Sequence, residues 1–164
     1  FSDEPVRVAA VGAASGRVGL FQREEFVGIP ASRTAAQRAY EQAGIDMDNV
    51  PEAIDFAEVN DCFAIAELLA YEDLGFCDRG EAGRLLDEGF TEPDGELPVN
   101  TSGGLKSKGH PIGATGTGQI NEAFEQLTGH GHVQVEDAQR GLAHNVGGSG
   151  GGITVAVLEK EGQA

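Results

Sequence analysis

The sequence predicts an α/β domain in which a mixed five-stranded sheet is layered with helices. Short β-rich apolar runs alternate with stretches of helical periodicity, and glycine-rich turns join one to the next. A chain of 164 residues with 40% hydrophobic content can build one core, so residues 1–164 are expected to form one domain.

In chain order, Val6 to Val11 predicts a strand that ends at Gly12, followed by a polar loop through Gly28. Ser32 is the expected N-cap of a helix over 32–43, in which Ala35, Ala36, Ala39, Tyr40 and Ala43 recur at helical spacing until Gly44. Phe56 to Val59 predicts a second strand; Asn60 and Asp61 turn the chain into a helix over 61–74. Between Gly75 and Pro98 glycines and acids dominate, with a short helical stretch from Glu81 to Glu88. Leu97 to Asn100 predicts a third strand, and the run from Gly103 to Gly118 leads into a helix over 111–127. The last two strands, Gly141 to Val146 and Ile153 to Leu158, flank the glycines of 147–152 as a hairpin. The turns that carry polar motifs are expected on one side of the sheet.

Charge narrows the function classes. With 27 acidic against 11 basic residues the net charge is -16, and the only lysines are Lys106, Lys108 and Lys160. Such a chain repels phosphate backbones and anionic lipid, so no nucleic-acid or membrane partner is expected. Dispersed acidity with little lysine and no tryptophan suggests a halophilic host, where salt screens self-repulsion; an ordinary acidic cytosolic protein is the alternative. Two cysteines and no signal-like start fit a reducing, cytoplasmic setting without a disulfide framework.

Three segments can carry chemistry. The first runs from Asn100 to Gly116 and centres on His110-Pro111. With Pro111 at the first helical position, His110 would sit at a helix N-terminus, where the dipole disfavours imidazolium and leaves a neutral base or hydrogen-bond donor. Gly109, Gly113 and Gly116 would let backbone and a bulky substrate approach closely; the alternative is a capping histidine followed by packing glycines. The second segment is Glu58-Val-Asn-Asp-Cys-Phe at a strand end, where Asn60 can hold a water or polarise a carbonyl and Cys62 can have a lowered thiol pKa. Helix capping and a small buried thiol are the simpler readings. The third is His144 followed by the glycine turn, whose backbone N–H groups can bind an oxyanion. It lacks the Lys-Ser/Thr ending of a phosphate loop. His130 and His132 have no further ligand at metal-site spacing, so no metal is expected and both read as solvated.

Together these segments resemble the C-terminal half of the thiolase superfamily, especially its archaeal and sterol-carrier-protein-type branch. The resemblance spans nearly the whole chain and includes Tyr71-Glu-Asp-Leu-Gly-Phe and Pro98-Val-Asn-Thr-Ser-Gly-Gly. It implies that His110, in the Gly-His-Pro motif, activates a nucleophilic cysteine and helps form an oxyanion hole, and that Asn60 fixes a water there. The segment Asn60-Asp-Cys-Phe combines the asparagine of the biosynthetic Asn-Glu-Ala-Phe motif with the cysteine of the sterol-carrier His-Asp-Cys-Phe motif.

Two departures matter. Where many thiolases have the proton-shuttling cysteine of a Cys-x-Gly motif, this chain has Val146-Gly147-Gly148. Cys62 is the leading substitute and His144 the reserve, while Gly148 can still donate its N–H. The nucleophilic cysteine of the N-terminal half has no counterpart, and Cys77 reads as structural.

The implied activity is acyl transfer between acyl-CoA molecules, by Claisen condensation or by thiolytic cleavage of a 3-ketoacyl-CoA. Coenzyme A thioesters would be substrates, with no further cofactor. The expected partner is an N-terminal thiolase half or subunit in a homo- or hetero-oligomer, this chain being a fragment or one part of a split enzyme. The alternative is a non-catalytic acyl-CoA-binding or scaffold subunit; ketoacyl synthase chemistry is disfavoured because Asn60 and His110 do not make its histidine pair.

Overall fold

A computed structural model describes residues 5–161. Its elements are strand β1 (Val6–Ala14), helices α1 (Pro30–Ala43) and α2 (Val50–Ala53), strand β2 (Phe56–Glu58), helices α3 (Ala64–Asp73), α4 (Ala82–Asp87), α5 (Gly104–Lys108) and α6 (Thr115–Leu127), and strands β3 (Arg140–Gly147) and β4 (Gly152–Lys160). The sheet order is β1-β4-β3-β2, with β4 antiparallel to both neighbours and β2 parallel to β3. The final hairpin therefore forms the centre of a mixed sheet.

That sheet has four strands, not the expected five. Val99 makes a single parallel bridge to Ala57, flanked by the bonds Ala57 N–H to Pro98 O (3.0 Å) and Asn100 N–H to Ala57 O (2.8 Å). Pro98 has no N–H to extend the ladder, and Asn100 at φ 53° turns the chain away after one bridge.

Alternation along the strands sorts side chains onto two faces. Ala57, Leu142, Ile153, Val155 and Val157 join the α1 and α3 side, while Phe56, Ala143, Ala156 and Leu158 meet Ala123 and Leu127 of α6. The sheet is thus the middle of three layers. On the first face the small residues of α1 permit close approach, and a Cβ at Gly12 would lie 2.7 Å from Ala39 N, so glycine is required where α1 crosses β1. Buried Asp73 fastens the loop ahead of α1: it accepts from Ile29 N–H (2.5 Å), Arg33 (2.9 Å) and Arg79 (3.2 Å).

Three expected helix starts shift. Helix α1 begins at Pro30 with Ile29 as its N-cap, so Ser32 lies inside the first turn and its hydroxyl serves another partner. Helix α3 begins at Ala64, leaving Cys62 two residues ahead of it. The third, α6, begins at Thr115 because the carbonyl of Pro111 first closes a tight turn, accepting from Ala114 N–H (2.7 Å) and Thr115 N–H (3.0 Å).

Candidate active site

Because β2 and β3 are parallel, their C-terminal ends open on one edge of the sheet. The Asn60 loop leaves β2 there and the 147–152 turn leaves β3 there. The N-terminus of α6 joins them, since a Cβ at Gly116 would stand 3.1 Å from Asn145 Nδ2. The motif turns are gathered on one side, as expected.

Asn60 is 2% exposed. Its Nδ2 donates to Val146 O at 3.4 Å and its Oδ1 accepts from Cys62 N–H at 3.4 Å, so one side chain ties the β2 loop to the β3 end and fixes the backbone that carries Cys62. A second N–H of the amide is left for another acceptor. The Cys62 thiol is partly exposed at the same loop.

His110 is exposed and stands five residues before α6, so the helix-terminus argument for a neutral ring does not apply to it directly. Thr115 sets the ring instead. The Thr115 hydroxyl donates to Pro111 O (3.1 Å), so it accepts from His110 Nδ1–H at 2.7 Å. In the neutral ring this leaves the Nε2 lone pair available to take a proton.

Beneath these loops lies a polar framework that the sequence did not mark. Glu58, 1% exposed, accepts from Ser102 Oγ (2.9 Å) and Lys108 Nζ (3.3 Å); burial pushes its carboxyl up, and Lys108 and Ser102 pull it back. Asp61 accepts from Leu105 N–H (2.8 Å), its carboxylate filling the space that a Cβ at Gly104 (φ 63°) would need. Asn100 accepts from Val59 N–H (2.8 Å) and donates to Glu67 (2.7 Å). The available signal was Glu58 itself, an acid ending an apolar strand whose both faces are covered.

The remaining candidates separate. Gly148, at φ 57°, is exposed in the hairpin turn. That turn is clasped by Arg23, which donates to Ser149 O, and by Ser149 Oγ, which donates to Val18 O (3.2 Å). His144 faces away: its ring is 2% exposed and meets Ser32 Oγ of α1, on the sheet face opposite α6. The reserve shuttle is thus outside the site, because residues 144 and 145 of a strand point to opposite faces. Burial beside Glu72, Asp78 and Glu81 pushes the Cys77 thiol up to about 11. His130 and His132 are exposed, and among the described residues no group of three His, Cys, Asp or Glu side chains is placed to hold a metal.

With this geometry in view, the family profile described as "Thiolase C-terminal domain-like" matches residues 12–160. The chain belongs to the thiolase C-terminal domain family. As a member, it is 45% identical over 161 residues to "Acetyl-CoA acetyltransferase" of Methanothermobacter thermautotrophicus, covering 98% of this chain and 41% of that protein. Over 139 residues it is 45% identical to "Sterol carrier protein 2" of Oryctolagus cuniculus, covering 84% of this chain and 24% of that one. Among solved structures, "Ltp2-ChsH2(DUF35) aldolase" matches with a TM-score of 0.79 and 29% identity, over 98% of this chain and 41% of the other. This thiolase C-terminal domain spans about two-fifths of the first of these relatives. Among the described residues no helix is long and apolar enough to cross a membrane.

Proposed function

We propose that the chain supplies the C-terminal part of the active site of a thiolase-type acyltransferase acting on coenzyme A thioesters. The observation that carries this is the convergence at one sheet edge of Asn60, partly exposed Cys62, the turn holding Gly148 and a histidine whose Nε2 is left basic by Thr115. Phe63, Ile65 and Ile112 are 71%, 61% and 88% exposed around this edge, an apolar rim suited to a further protein segment.

In this reading a cysteine from the remaining part of the enzyme attacks an acyl-CoA, His110 Nε2 takes its proton, and the thioester C–S bond breaks to release a coenzyme A thiolate, which then takes the proton of Cys62 and leaves Cys62 as a thiolate. The protonated ring then donates from Nε2 to the thioester oxygen of a second acyl-CoA, together with a water held by Asn60; Gly148 N–H serves the acylated intermediate. The Cys62 thiolate removes the α-proton, the resulting enolate attacks the acyl carbon to form the carbon–carbon bond, and the nucleophilic cysteine is expelled as a thiolate that regains its proton from His110. Thiolysis is the same path in reverse.

A second reading is favoured by Val146, which cannot shuttle a proton, and by the likeness to the structure of the Ltp2-ChsH2(DUF35) aldolase. Carbon–carbon cleavage by a retro-aldol route needs no acylated cysteine. The deciding experiment mixes the chain, or its longer natural form, with the nucleophile-bearing part and acyl-CoA. Mass spectrometry is expected to find a covalent acyl adduct and product analysis a 3-ketoacyl-CoA. Turnover of a hydroxyacyl thioester without an adduct would establish the aldolase reading, and binding without turnover the scaffold reading.

A further inference from the structure

We infer that Lys108 is a positioning residue for His110, acting through the buried carboxylate of Glu58; this rests on the acyltransfer reading above. Lys108 Nζ lies 3.3 Å from Glu58 Oε2, 2.7 Å from Ser102 Oγ and 3.2 Å from Glu122 Oε1. Three N–H donors meet three acceptors, so the ammonium is fully used. Its partners lie on different elements. Glu58 ends β2 two residues before Asn60, Ser102 precedes α5, and Glu122 belongs to α6, whose first residue Thr115 holds the His110 ring. Lys108 is the last residue of α5, and only Gly109, at φ 93°, separates it from His110.

The exposed segment from Gly109 to Ala114 has almost no packing of its own, with Ile112 88% exposed and glycine at 109 and 113. Its position therefore depends on its ends. Thr115 holds one and Lys108 the other, so a single cation references His110 to the strand that carries Asn60. The Glu58 side chain is 2% exposed, and a charge at such a depth keeps its place only while its partner stays. Catalytic geometry is sensitive to this: a displacement of about 1 Å costs about 100-fold in rate.

The test uses the assembled enzyme with Lys108→Met, Lys108→Arg and Glu122→Gln. For Lys108→Met, kcat should fall about 10-fold or more while KM stays within about twofold, a loss confined to the transition state. In histidine-labelled protein, the 15N imidazole signals of His110 should move from the Nδ1–H tautomer toward a mixture of tautomers. Lys108→Arg keeps the charge and should recover part of both. Glu122→Gln, which loosens only the outer partner, should shift both by less. If Lys108→Met fails to fold, the two milder variants decide on the same readouts. An unchanged tautomer and kcat in the folded variants, or a change in KM alone, would overturn the proposal. If the wild-type assembly shows no acyl transfer, the functional reading fails, while the tautomer signal still decides the role of Lys108.

Discussion

Ser32 Oγ lies 3.0 Å from His144 Nε2, joining α1 to the central strand β3 across 112 residues of sequence. The other ring nitrogen, Nδ1, is buried without a hydrogen-bond partner among the described residues. The pair is a fastening of the α1 face.

This burial sets a pH dependence. Desolvation lowers the His144 pKa from 6.5 to about 4, so the unfolded chain binds more protons than the folded one between those values. Stability is fully present above pH 6.5 and is lost as the pH falls toward about 4. The loss attributable to this group is about 3 kcal/mol. Urea denaturation through that window should show a steeper loss in the wild type than in His144→Gln; parallel profiles would remove His144 as the cause.

Thr115→Val preserves shape but takes away the acceptor for His110 Nδ1–H. The ring then exchanges tautomers and orientations, and Nε2 is no longer held as the base. In the assembled enzyme, acylation by acyl-CoA should slow about tenfold while the midpoint of thermal unfolding shifts by only a few degrees. Rapid-quench measurement of the acyl adduct checks this, and an unaltered acylation rate would show that the ring is held from elsewhere.

Cys62 and His144 are separable by substitution. Cys62→Ala should leave acylation of the partner cysteine intact and suppress carbon–carbon bond formation by about 100-fold or more. His144→Gln should affect stability first, because its ring lies on the far sheet face. Condensation that survives both substitutions would place the proton acceptor outside this chain.

The net charge of -16 predicts a response to salt. Raising KCl from about 0.1 M to 1 M shortens the screening length from about 10 Å to about 3 Å, which relieves repulsion among dispersed carboxylates. The unfolding temperature should rise over that range and should rise less for variants with surface Glu or Asp changed to Gln or Asn. A flat profile would assign the acidity to something other than adaptation to salt.

The strand, helix and glycine-turn order could be read from the chain because it rests on spacing within a few residues. The small residues of α1 and the final hairpin were legible in this way, whereas Asn60, Cys62, His110 and Gly148 stand as candidates through the resemblance of their segments to thiolases. Ser32 shows the limit: its type suits an N-cap, yet Pro30 starts the helix earlier and a buried histidine claims the hydroxyl. Leu97 to Asn100 shows another, because its apolar run is extended for only one bridge before Asn100 turns it aside.

By itself the sequence determined that strands alternate with helices, that polar motifs stand at their junctions, and that the charge is strongly negative. These follow from local periodicity and composition. Only the tertiary structure decided that β4 lies between β1 and β3, that His144 turns from the site, and that Lys108 meets Glu58 across 50 residues. Strand order depends on which apolar faces cover one another once the chain closes, and a buried charge is recognisable only when its distant partner has been brought within reach.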